Sequence, residues 1–158
     1  MVDNSTVMLD GICAECGCKE NDGYSCFEQF GFPLVWEHND ENLYALHFWL
    51  VTCYMIQHPS NYTDEGYEQM INLFIDAYDN KWETSYILKT NRERIKSVDK
   101  ITSPIVSESR KRIFFDWSMT IQDVYLNGEE NAIVTINQWK EAIRKDLNRF
   151  NATFPVLK

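Results

Sequence analysis

Glycine and proline are scarce in this chain, six and four among 158 residues. So few turn-formers disfavour a many-stranded β fold and favour helices. Long apolar runs are missing too, and none approaches the roughly 18–20 residues of a membrane-spanning helix. Basic residues are nearly absent from the first 60 positions. That stretch holds nine acidic side chains and only Lys19, a net of −8 within a whole-chain charge of −9. Such a half repels phosphate, so a nucleic-acid partner is disfavoured. The first ten residues show neither a basic n-region nor an apolar h-region, so no signal peptide is read there and no membrane association is expected. No G-x-S-x-G, phosphate-cradling glycine loop or H-E-x-x-H occurs.

What the chain does have is 44% hydrophobic and 14% aromatic content. Together with its length, this suits one domain, 1–158, with a packed core. The expected class is all-α: a single bundle of five to six helices over 27–150, with an irregular cysteine-rich loop at 10–26. Phe27, Phe30 and Leu34 suggest a first helix interrupted near Gly31-Phe32-Pro33. A second helix over roughly 41–57 carries Leu43, His47, Leu50, Val51 and Tyr54 on one face. Thr63 caps a third, with a stripe of Tyr67, Met70, Ile71, Phe74, Ile75 and Tyr78. Trp82, Tyr86 and Leu88 read as its extension, and a more polar fourth helix follows Asn91. Residues 102–119 look irregular around Pro104. Thr120-Ile121-Gln122-Asp123 reads as a capping box and Asn127-Gly128 as a turn. A last helix over 130–150 places Ile133, Ile136, Trp139, Ile143 and Leu147 inward.

Five cysteines in a chain expected to sit in a reducing cytoplasm point to metal, redox chemistry or core packing rather than disulfides. Cys13-x2-Cys16-Gly17 is half of a metal hairpin: two thiolates can grip one ion, and the glycine lets backbone amides turn toward the sulfurs. Cys26 adds a third thiol at the expected start of a helix, whose N-terminus stabilises a thiolate. Three soft donors favour zinc over magnesium or calcium. A redox pair fits less well, because no strand precedes the motif and Gly17 breaks any following helix.

The fourth ligand is open between several residues. His47 and His58 share a helix face but stand about 16 Å apart along the axis, so one ion cannot take both. His47, nearer the loop in sequence, is the preferred ligand. Cys18 competes, although two residues from Cys16 is a tight reach. His58 reads more simply as a cap on the last carbonyls of its helix, and Cys53 as a small buried apolar residue.

The order Cys13-x2-Cys16-Gly17, Cys26, then His47-x3-Val51-x2-Tyr54-x2-Gln57-His58-Pro59 resembles an uncharacterised bacterial family of small cysteine-containing proteins, known only as a domain of unknown function. The likeness extends to Thr120-Ile121-Gln122-Asp123-Val124 and to the helix around Trp139. The family pattern matches at Cys13, Cys16, Cys26, His47, Tyr54, Gln57 and His58. Cys18 and Cys53 fall outside the pattern, and Thr52 stands where relatives carry an aspartate. No activity comes with the family.

Three functional classes follow. The first is a non-catalytic, zinc-stabilised helical module that binds a protein partner, held together by a closed Cys13, Cys16, Cys26, His47 set. The second is a zinc-dependent hydrolase or transferase acting on a small molecule, with an open coordination position and His58, Tyr54 or Glu37 as acid or base. A third and less favoured class, a nucleic-acid or regulatory protein, would use the basic stretch 89–112, which reads more simply as a solvated face or a complement to the acidic half. Oligomeric state is not legible.

Overall fold

The computed structural model describes residues 8–96 and 114–153. Among them a short antiparallel hairpin, β1 (Met8–Leu9) and β2 (Ile12–Cys13), precedes seven α-helices. These are α1 (Cys26–Trp36), α2 (Glu41–Tyr44), α3 (His47–Ile56), α4 (Asp64–Asp79), α5 (Thr84–Ile95), α6 (Ile121–Asn127) and α7 (Ala132–Thr153). Short 3-10 turns join several of them, one at Pro59–Asn61 directly after the end of α3. No helix among the described residues is long and apolar enough to cross a membrane.

Local signals explain most boundaries. Ser25 caps α1 and Thr120 caps α6, each through a reciprocal capping box, with Glu28 and Asp123 as the returning carboxylates. Each box satisfies helix-start amides that have no partner inside the helix. Thr63 accepts from the Gly66 amide at 3.0 Å and opens α4. Gly128, at φ +83°, ends α6.

Helices number one more than expected because one reading joined what the chain divides. The segment 41–57 breaks at Ala45–Leu46 into α2 and α3. The reading of Trp82, Tyr86 and Leu88 as an extension of α4 is also corrected. Asn80 caps that helix and Lys81 takes φ +55°, so α5 begins at Thr84, ahead of the Asn91 start expected. The expected interruption at Pro33 is absent. α1 runs through it to Trp36 with the proline ring buried, so the missing amide costs one hydrogen bond and the ring still packs. The irregular reading of 102–119 falls mainly on residues outside those described, as does the basic stretch beyond Lys96. In the described part of that stretch, Arg94 pairs with Asp76 and lies over the Trp82 ring.

The buried hydrophobic side chains form one cluster. α3 and α7 supply its centre, with Leu50, Ile56, Ile136, Trp139, Ile143 and Leu147 essentially sealed from solvent. Ile133, expected inward, is 37% exposed. α4 adds Tyr67, Ile71 and Phe74, whose ring meets Trp49 edge-on. α1 packs on α6 and α3 on α7.

Candidate metal centre

Residues 10–26 are mostly turns, as read, but they include β2 and two isolated bridges, Ile12 with Lys19 and Asn21 with Tyr24. Asp10 and Gly11 both take positive φ, the conformation of a tight two-residue hairpin turn and the reason Asp-Gly is a strong hairpin signal. β2 delivers Cys13, and the chain then turns back on itself. The Gly17 amide donates to the Cys13 carbonyl and the Cys13 amide to the Cys18 carbonyl at 2.8 Å. Gly17 sits at φ +82°, which lets the Cys18 amide point at the Cys16 sulfur, 3.4 Å away. The loop is pinned to α1 by Gln29, fully buried, whose amide donates to the Lys19 and Tyr24 carbonyls at 2.8 and 2.9 Å.

Cys26 enters as the first residue of α1, directly after its cap. His58 enters from the turn after α3. One ligand atom from each of Cys13, Cys16, Cys26 and His58 lies within 4.8 Å of all the others, and all four residues are buried. His58 Nε2 is 3.6 Å from the Cys13 sulfur and 3.4 Å from that of Cys26.

The second nitrogen fixes how the imidazole is presented. His58 Nδ1 is 2.7 Å from the Tyr54 carbonyl. A carbonyl only accepts, so Nδ1 carries the proton and Nε2 faces the sulfurs. A hydrogen bond on the far nitrogen is the usual support of a metal-binding histidine. The ring also stacks on Tyr54 at 4.1 Å, and Tyr54 on Phe30 at 4.1 Å. The Tyr54 hydroxyl lies 3.7 Å from the Cys26 sulfur.

The donor set fits a tetrahedral soft-ligand ion. Zinc at about 2.3 Å from sulfur and 2.0–2.1 Å from nitrogen separates those two atoms by about 3.6 Å at a tetrahedral angle. The two sulfur–nitrogen distances agree with that spacing. The electrostatics agree as well. Hydrogen bonds from the Cys16 and Cys26 thiols hold Cys13 far below the ordinary thiol range, while burial pushes Cys16 well above it. Burial opposes charge on His58, but Cys13 and Cys26 more than offset it and raise the imidazole well above its usual value. A cation held by these sulfurs would take the place of their protons, since the thiolate is the form that binds a metal.

Glu15 closes the far side. Fully buried within the Cys-x2-Cys turn, its carboxylate accepts from the Ser60 amide at 3.2 Å and the Ser60 hydroxyl at 2.9 Å. It therefore ties the hairpin to the turn that carries His58. Burial raises its pKa, and the His58 charge and the Ser60 hydrogen bonds pull it back.

Of the expected site residues, Cys13, Cys16 and Cys26 come together. His47 does not join them, and that expectation is corrected. At the start of α3 it faces Glu37, with Nδ1 2.6 Å from Oε2, while the chain brings the hairpin to the opposite end of the helix. His58 takes the position, so its reading as a simple helix cap is also revised. Cys18 stays outside the four, its thiol donating to the Lys19 carbonyl at 3.4 Å. Gln57 points elsewhere and donates to the Met119 carbonyl at 2.7 Å. Cys53 is buried in the core, as read. Glu15, Gln29 and Ser60 escaped the sequence reading. Only the Asp10-Gly11 turn signal advertised the hairpin that positions them.

No curated protein and no solved structure matches the chain. The pattern described as a family of unknown function (DUF5946) matches residues 11–148, from the hairpin turn through most of α7 and so across the whole candidate centre. The chain belongs to that family of unknown function.

Proposed function

We propose that this protein is a zinc-stabilised helical module in which Cys13, Cys16, Cys26 and His58 hold one structural ion. The observation that carries the reading is closure: four converging donors, every one of them buried. A catalytic zinc keeps an open position for water or substrate, whereas a structural one is surrounded by four protein ligands and sealed. The supporting residues have the same character. Glu15, Gln29 and the Tyr54 carbonyl all hold ligands or their loop in place. The ion joins three segments distant in sequence: the hairpin, the start of α1 and the turn after α3. The module then serves to present its helical surface to a protein partner.

The test is thermal unfolding of the purified, metal-loaded chain with and without a strong chelator. Apparent folding contributions of structural zinc run to about 10 kcal/mol or more. At about 2–4 °C per kcal/mol for a chain of this size, even half of that lowers the Tm by at least about 10 °C. Unchanged melting after complete removal of the ion overturns the reading.

A further inference from the structure

Between α3, α4 and α5 the core leaves a cavity of about 400 Å³, inside the range of small-ligand sites. Its walls are apolar at Phe48, Val51, Met55, Met70, Leu73 and Leu88. His47 also lines it and brings an imidazole, whose nitrogens can donate or accept hydrogen bonds, to a largely apolar wall.

That imidazole is held by a built contact. Its Nδ1 lies 2.6 Å from Oε2 of Glu37, a residue only 5% exposed. The other carboxylate oxygen, Oε1, is buried with no hydrogen-bond partner among the described residues. A carboxylate so enclosed is costly unless it serves a charged or donating neighbour, and here that neighbour is His47. An ionised carboxylate accepts and cannot donate, so Nδ1 carries the shared proton and Nε2 is left for a ligand. Tyr44 stacks on the ring at 5.6 Å, and the His47 side chain is 46% exposed, so solutes can reach it.

Surrounding charge selects the head group. At the histidine's end of the cavity, Asp40 and Glu41 line a shallow hollow with Glu37 and Tyr44. That field repels an anionic head and favours one that is neutral or cationic. The geometry points to a second functional site, independent of the metal centre at the other end of α3: a small-molecule pocket that takes an apolar body in the cavity and a hydroxyl or protonated amine donating to His47 Nε2. The inference stands on the His47–Glu37 pair and the cavity, and does not need the ion to be structural or to be zinc.

The experiment uses the full, metal-loaded chain and three probes with one apolar body: 4-phenylbutan-1-ol, 4-phenylbutylamine and 4-phenylbutyrate. Binding is followed by ligand-observed NMR titration. Saturable binding of either donor-headed probe, with the carboxylate at least tenfold weaker, is the expected result. The tighter of the two donors then says whether the head is neutral or charged. His47→Phe, which keeps a stacking ring but removes both nitrogens, should weaken that probe at least tenfold while metal content stays at the wild-type level. Glu37→Gln should weaken it to a smaller degree. Absence of binding by all three probes, equal binding of the carboxylate, or unchanged affinity in His47→Phe overturns the proposal. Retained metal in these variants separates its failure from failure of the zinc reading.

Discussion

Glu15→Ala is expected to weaken ion binding without removing a ligand. The carboxylate accepts two hydrogen bonds from Ser60, at 3.2 and 2.9 Å, inside the protein. Bonds to a charged acceptor contribute roughly 1.5–3 kcal/mol each, and the stranded Ser60 amide adds a penalty. The cost of burying the carboxylate, visible in its raised pKa, works in the opposite direction. The net loss is therefore about 2–4 kcal/mol. Much of it falls on the ion, because this clamp sets the hairpin thiols against His58. At 1.4 kcal/mol per factor of ten, the dissociation constant should rise about 10- to 100-fold, the usual scale for loss of a residue that supports a metal ligand. Competition against a chromophoric chelator of known affinity, at fixed pH, reads the change. The variant should still reach the wild-type stoichiometry at saturating metal. A folded variant whose affinity stays within twofold of wild type refutes the clamp, and so does one that binds no metal at any concentration.

Gly17→Ala should lower both stability and metal affinity, since φ +82° costs an L-residue roughly 1–2 kcal/mol. The Phe114 ring, 3.2 Å from the new Cβ, is exposed and can yield, so Gly17→Asn should recover part of the loss in the same chelator competition, asparagine tolerating that backbone better. Asp79→Asn should cost at most about 1 kcal/mol in urea unfolding at pH 7, because the Arg144 pair it breaks is half exposed. The hydrogen bond from Arg144 lowers the Asp79 pKa in the folded chain. A depressed carboxylate stabilises above its unfolded value near 3.9 and loses that contribution as pH falls through the folded value. The gap between wild type and variant should therefore close in acid, and a gap that widens there would contradict the assignment.

The sequence carried the local decisions well. Thr63, Thr120 with Asp123, and the Asn127-Gly128 turn mark boundaries through hydrogen bonds made within a few residues, and those are legible without a fold. The three thiols were legible for the same reason: spacing and chemistry sufficed. The choice of histidine was not. His47 is closer to the cysteines along the chain, but which end of α3 meets the hairpin is decided by contacts 45 residues apart, Glu15 with Ser60 and Cys13 with His58. Spacing holds no information about such pairs. Gln29 was hidden likewise, because a glutamine inside a helix looks solvent-facing until its carbonyl partners fold over it. The split of α2 from α3 has no marker in Ala45-Leu46. Pro33 shows the reverse error, a strong local breaker overridden by tertiary packing.

X-ray absorption at the zinc edge, on protein loaded to saturation, tests the centre most directly. The account predicts one ion per chain with three sulfurs at about 2.3 Å and one nitrogen at about 2.0–2.1 Å, the nitrogen lost in His58→Ala and retained in His47→Phe. A coordination shell with fewer than three sulfurs, or a nitrogen that survives His58→Ala, would contradict it.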